Sequence, residues 1–187
     1  MQLRVLFILF FGVTHVHAQN EGRIKILEEK IAQAKNEDEK VKTLSDLAEF
    51  YFNYKVESKA DSLLQKALLI AELSSDKELV FRILFSNNII NLDAWSNANV
   101  FEKSKKFIGK GLLYAQEQDR PEYVALAYIR LAGLERKRAL YNEALQHTTE
   151  AFTALANVHN DSLQCVLYNE LGDIYMAKGD AIPAYKN

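Results

Sequence analysis

Residues 168–184 read YNELGDIYMAKGDAIPA, and residues 44–60 read LSDLAEFYFNYKVESKA. Each holds a leucine, a small residue and then a tyrosine, as Leu171-Gly172-x-x-Tyr175 and Leu47-Ala48-x-x-Tyr51. Each then reaches a second small residue, Ala184 and Ala60. That second position recurs as Ala60, Ser104, Ala144 and Ala184, at spacings of 44, 40 and 40 residues. Twelve residues before each stand Ala48, Leu92, Ala132 and Gly172. Self-similarity at a fixed period of this size marks stacked supersecondary units. Two antiparallel helices that cross closely need a small residue on each. Ala48 with Ala60, Ala132 with Ala144, and Gly172 with Ala184 are the expected touching points, with Leu92 and Ser104 in the least regular copy.

Reading outward from these positions, the apolar residues keep a period near 3.6 and no convincing strand pattern intervenes. Ile24, Leu27 and Ile31 stripe a leading helix that closes near Asn36. Val41, Leu44, Leu47, Ala48 and Tyr51 mark a second helix, and Leu63, Leu64, Ala67, Leu68 and Ala71 a third. Asp38, Asp76, Asp119 and Asp161 each precede an apolar stripe, where a carboxylate can accept from free N–H groups at a helix start. Pro121 and Pro183 suit first helical turns, where the missing donor is harmless. The predicted fold is all-α, a right-handed superhelical solenoid of antiparallel helix pairs with its last repeat incomplete. The segments are a leader (1–18), a leading helix (19–37) and repeats at about 38–75, 76–118, 119–160 and 161–187.

The chain's 187 residues include two prolines and seven glycines, too few for a loop-rich sandwich. Hydrophobic residues make up 49% and charged residues 26%, a globular balance. One cysteine, Cys165, excludes an intrachain disulfide, so packing alone must hold the fold. Arg4, the apolar run Val5–Val13 and the small-residue site Val16-His17-Ala18 compose an export signal, with cleavage expected near Ala18-Gln19. An uncleaved anchor or a buried N-terminal helix is the competing reading. Cleavage removes one basic residue and leaves 22 basic against 25 acidic side chains. That balance gives no electrostatic reason to expect a nucleic-acid partner.

Together these residues resemble the tetratricopeptide repeat, whose pattern sets an aromatic before Leu-Gly-x-x-Tyr and Ala-x-x-x-Phe-x-x-Ala in the second helix. The last copy offers Tyr168, Leu171, Gly172, Tyr175 and Ala184. The first has Leu44, Leu47, Ala48, Tyr51, Ala60, Leu64 and Ala67. The third keeps Tyr128, Leu131, Ala132, Ala144 and Ala151, with Glu135 and Thr148 where aromatics are usual. In the second, Asn88, Asn91 and Leu92 depart from the pattern, while Trp95, Ser104, Ile108 and Gly111 fit it. The spacing exceeds the family's ~34 residues, which implies longer helices or longer connections.

No catalytic or metal motif emerges. His-Glu-x-x-His and Cys-x-x-Cys are missing, so no metal and no cofactor are expected. His147 lies in the polar stretch 146–149 and is read as solvated or on a helix surface, and His159 as facing helix C-terminal carbonyls. Cys165 opens an apolar stripe with Tyr168 and Leu171 and is read as a buried thiol. Gly109-Lys110-Gly111 lacks the strand and the Ser/Thr of a phosphate loop, and Gly111 is read as a packing position.

The resemblance implies that the first helix of each pair lines a concave binding face. It points to Lys42, Ser45, Glu49, Phe52 and Asn53 in the first copy, Leu126, Ile129, Arg136 and Lys137 in the third, and Asn169, Asp173 and Met176 in the fourth. Helix packing is the competing role for Phe52 and Ile129. Relatives that clamp C-terminal carboxylates use a lysine and an asparagine on this face, where Ser45 and Glu49 stand here. The expected function is a non-catalytic extracytoplasmic scaffold that binds a protein or peptide. The sequence stops three residues after Ala184, which suggests a longer parent protein. The alternative function is therefore the N-terminal sensor region of a membrane signalling protein, a histidine kinase or transcriptional regulator. Self-association through an uncapped last repeat is a further expected possibility.

Overall fold

The computed structural model describes residues 21–54, 56–85 and 98–179. Among them every regular element is helical, in agreement with the all-α expectation. The helices are α1 (21–33), α2 (Glu37–Asn53), α3 (Glu57–Leu73), α4 (Glu78–Leu84), α5 (Ala98–Glu117), α6 (Pro121–Lys137), α7 (Tyr141–Leu155) and α8 (Asp161–Lys178). They fall into two compact units divided after Ile83. The leader, Leu92 and Ala184 lie outside the described residues, as does Pro183. No helix among the described residues is long and apolar enough to cross a membrane.

In the first unit α2 packs against α3. The two are joined by residues 54–56, a stretch that spans roughly 10 Å at most. A 17-residue helix is about 25 Å long, so α3 can only run back alongside α2. The contacting stripe is Val41, Leu44, Leu47, Ala48 and Tyr51 on α2, and Ala60, Leu64, Ala67 and Ala71 on α3, all buried. Ala48 and Ala60 are both fully covered.

The second unit continues the same construction. α6 packs against α5, α7 and α8, and α7 also meets α8. Phe101 and Ile108 of α5 share a buried cluster with Ala127, Leu131 and Leu134 of α6. Ala125 and Ile129 of α6 meet Ala151 and Leu155 of α7 and Leu167 of α8. Ala132 and Ala144 come together under Ile174. The 40-residue spacing from α6 to α8 is filled mainly by helix, since the connections at 138–140 and 156–160 are short. Gly111 is a packing position: a Cβ there would stand 3.2 Å from the Phe85 ring.

The helix starts differ from the expected aspartates at three of four places. Asn36 caps α2, its side chain accepting from the Glu39 N–H at 2.8 Å, and Asn160 caps α8 by accepting from Leu163 N–H at 3.0 Å. Asp38 and Asp161 fall inside the first turns, where their charge still favours the helix dipole. Asp38 also pairs with Arg82 of α4. Asp76 does act on a helix start, accepting from the Glu78 N–H at 3.0 Å. Asp119 instead sits at φ 52 in the turn before α6, and Pro121 opens that helix as expected.

One turn geometry recurs between paired helices. The Val56, Arg120 and Leu140 N–H groups donate to the carbonyls of Tyr51, Ala115 and Glu135, five residues back, at 2.9, 2.9 and 3.0 Å. Such a bond closes a helix through one left-handed residue. Asp119 takes that position after α5, and Ala139, at φ 59, takes it after α6. A left-handed alanine is strained by roughly 1 kcal/mol or more, because Cβ crowds the following carbonyl. Ala139→Gly should therefore raise stability by up to about 1 kcal/mol, read as a higher thermal midpoint. Gly111→Leu should do the reverse, overpacking against Phe85 and lowering stability by ~1–3 kcal/mol in denaturant titration.

Candidate binding grooves

α6 and α8 lie side by side, and a shallow groove of about 210 Å³ runs along their contact. Ile129, Gly133, Arg136 and Lys137 repeat at helical spacing on α6, so they project along one stripe. Glu170 of α8 contributes to the lining as well. Gly133 also lines it, and a Cβ there would rest in ordinary contact with the Glu170 carboxylate at 3.4 Å. Arg136 bridges the helices: its Nε donates to Glu170 Oε1 at 2.6 Å and its Nη2 to Oε2 at 3.4 Å. Asp173 Oδ2 lies 3.3 Å from the same Nη2. The hydrogen bond with Glu170 holds the guanidinium above its ordinary value, against the opposing pull of burial.

Arg130, on the same helix, also borders the groove, and its guanidinium is engaged by Phe85. Its Nη2 donates to the Phe85 carbonyl at 2.5 Å and its guanidinium lies over the Phe85 ring. Burial pushes its pKa down to about 10.

The residues expected on this face divide into three groups. Arg136 and Lys137 line the groove with half-buried side chains, and Asp173 faces it from α8 through its contact with Arg136. Ile129 also borders the groove, but only 6% of it is exposed and it packs among Ala125, Ala151, Leu155 and Leu167. Its main role is therefore in the core. Leu126 is half-buried, while Asn169 and Met176 are exposed on α8 and are not part of the groove lining.

In the first unit a second groove, of about 730 Å³, opens between α1 and α2. Glu49 and Asn53 line it with Asp46, opposite Arg23 and Lys30 of α1. The Arg23 guanidinium stacks over Phe50 at 5.7 Å. Lys42 is exposed elsewhere on α2 and Phe52 is half-buried outside the lining. The Ser45 hydroxyl is committed to its own helix, donating to the Val41 carbonyl at 3.0 Å.

Two side-chain readings require correction. Cys165 is exposed. α8 buries Leu167 and Ile174, and a residue two positions from Leu167 points roughly 200° around the helix. His147 is half-buried on α7 with its Nδ1 2.6 Å from Glu135 Oε2 and its ring stacked on Tyr128. His159 is exposed and its Nε2 lies 3.7 Å from Asp161 Oδ1, so its recorded contact is a carboxylate. Thr148, at a position expected to be aromatic, is buried with its hydroxyl donating to the Ala144 carbonyl at 2.8 Å. No cluster of three or more His, Cys, Asp or Glu side chains fit to hold a metal ion occurs among the described residues.

Gly133 and Glu170 were not singled out by the sequence. Gly133 carries a usable signal, lying four residues after Ile129 and three before Arg136 on the same stripe. Glu170 carries none, because its partner is 34 residues away in another helix.

No protein-family model matches the sequence, and no curated protein matches it. Among solved structures, BtubC (BKLC) from P. vanneervenii superposes with a TM-score of 0.69. The match covers 89% of this chain and 71% of BtubC, at 20% sequence identity. The fold is of the helical-repeat type. At this identity the likeness is one of fold alone.

The Arg136 bridge gives a test of the groove wall. Arg136→Leu leaves the largely covered Glu170 without its partner and should cost about 1.5–3 kcal/mol. Asp173→Asn alters an exposed carboxylate, and its cost should stay within about 1 kcal/mol. Chemical denaturation of the two variants beside the unaltered chain measures the difference.

Proposed function

We propose that this chain is an extracytoplasmic protein-interaction scaffold of the tetratricopeptide type, which takes an extended peptide segment of a partner protein. The observation that carries this reading is the groove between α6 and α8, with Ile129 and Gly133 beside the charged groups of Arg136, Lys137 and Glu170. Extended peptides offer side chains in alternation together with main-chain donors and acceptors. A groove combining apolar surface with both signs of charge complements them. The α1–α2 groove has the same mixture in Arg23, Lys30, Asp46 and Glu49, which supports a second contact of similar chemistry.

The repeat type is supported by the Leu-small-x-x-Tyr pattern and by the way α6, α7 and α8 share buried clusters. The extracytoplasmic location is supported by Arg4, the run Val5–Val13 and the site before Gln19. Recognition rather than turnover is the reading favoured by a groove whose arginine is already satisfied by carboxylates.

A peptide library panned against the full chain tests the groove. Lys137→Glu should weaken the selected peptides by about tenfold or more, equivalent to ~1.4 kcal/mol. Lys42→Glu, on exposed α2 surface, should leave them unchanged. Equal binding by Lys137→Glu and by Gly133→Leu, which fills the groove, would reject the assignment. Export is tested by mass spectrometry of the secreted chain, with Gln19 as the expected first residue.

A further inference from the structure

Glu135 is the one ionisable side chain fully buried among the described residues. Its two oxygens are divided between neighbouring helices. Lys105 Nζ of α5 donates to Oε1 at 3.0 Å, and His147 Nδ1 of α7 lies 2.6 Å from Oε2. A carboxylate only accepts, so the imidazole carries its proton on Nδ1. One carboxylate on α6 thus joins the helix before it to the helix after it. Lys105 also lies over the Phe101 ring of α5, and Arg138, just after α6, stacks on that ring at 4.9 Å. On α8 the facing acids, Glu170 and Asp173, are engaged with Arg136 and not with this cluster.

We propose that Lys105, Glu135 and His147 form an acid-released clasp that locks the α5–α6 pair to the α6–α7 pair. Protonation of either Glu135 oxygen removes an acceptor. A neutral carboxylic acid carries a proton on one oxygen, so it can no longer accept from both Lys105 and His147. Release then removes the polar tie at their shared centre and loosens helices that the apolar clusters still join. The proton has a route, because the Lys105 and His147 side chains are 42% and 23% exposed while Glu135 is sealed.

The direction of the pH effect follows from the same contacts. Burial alone pushes the Glu135 carboxyl up. The hydrogen bonds and charges of His147 and Lys105 outweigh it and hold the group below its ordinary range. Its contribution is therefore present above the unfolded carboxylate value of about 4.3 and is lost as pH falls through the lower folded value.

The test uses the full chain, with thermal unfolding between pH 7 and pH 3 and amide exchange read helix by helix. Glu135→Gln should lower the melting midpoint at pH 7, and its deficit should shrink steadily as pH falls. Lys105→Met and His147→Asn keep the carboxylate, and each should move the acid transition of the unaltered chain upward by about one pH unit. They serve equally if Glu135→Gln does not fold. Exchange at acid pH should rise together in α5, α6 and α7 ahead of α2 and α3. A pH-independent deficit in Glu135→Gln, an unmoved acid transition in the other two variants, or uniform exchange across all helices would overturn the clasp.

Discussion

The close approach of neighbouring helix backbones is the constraint on which the rest of this structure depends. It is met by small residues, with Ala48, Ala60, Ala132 and Ala144 fully covered and Ser104 nearly so. Where a crossing is tight, larger side chains must lie to either side, and the clusters around Phe101, Ile129 and Leu155 follow from that displacement. Dense packing of this kind leaves little freedom to absorb an added methylene. Gly111, pressed towards Phe85, belongs to the same logic. Polar groups caught in the packing must find partners inside it. Thr148 does so within its own helix, and Glu135 does so across two.

In the second unit α6 serves as the electrostatic hub. Glu135 reaches α5 and α7, Arg136 reaches α8, and Arg130 reaches the carbonyl that follows α4. Buried ion pairs add little net stability, because desolvation offsets most of their attraction. Their effect is geometric: hydrogen bonds with fixed partners hold each neighbour in one register along α6. Arg136 also shapes the surface, since the contacts that orient it against Glu170 and Asp173 make it one wall of the groove.

The grooves take their character from this arrangement. A surface formed by two helices held at a fixed separation presents a constant pattern of charge and apolar area to a ligand. Preorganisation of that sort reduces what association costs in lost side-chain freedom.

The sequence by itself determined that the chain is helical and arranged in pairs, because apolar period and small-residue spacing are local properties that every copy must satisfy. The family resemblance grouped Arg136, Lys137 and Asp173 on one expected face, and helical spacing puts Arg136 and Lys137 together on α6. The tertiary structure decided what those residues touch. Arg136 with Glu170, Lys105 with Glu135, and Asp38 with Arg82 join positions 34, 30 and 44 residues apart. Pairings at that distance depend on helix separation and rotation, which no local pattern encodes. The same reason explains Cys165 and His147. The immediate neighbours suggested a buried thiol and a solvated or helix-surface ring; the orientation of α8 exposed Cys165, and that of α7 half-buried His147 against Glu135.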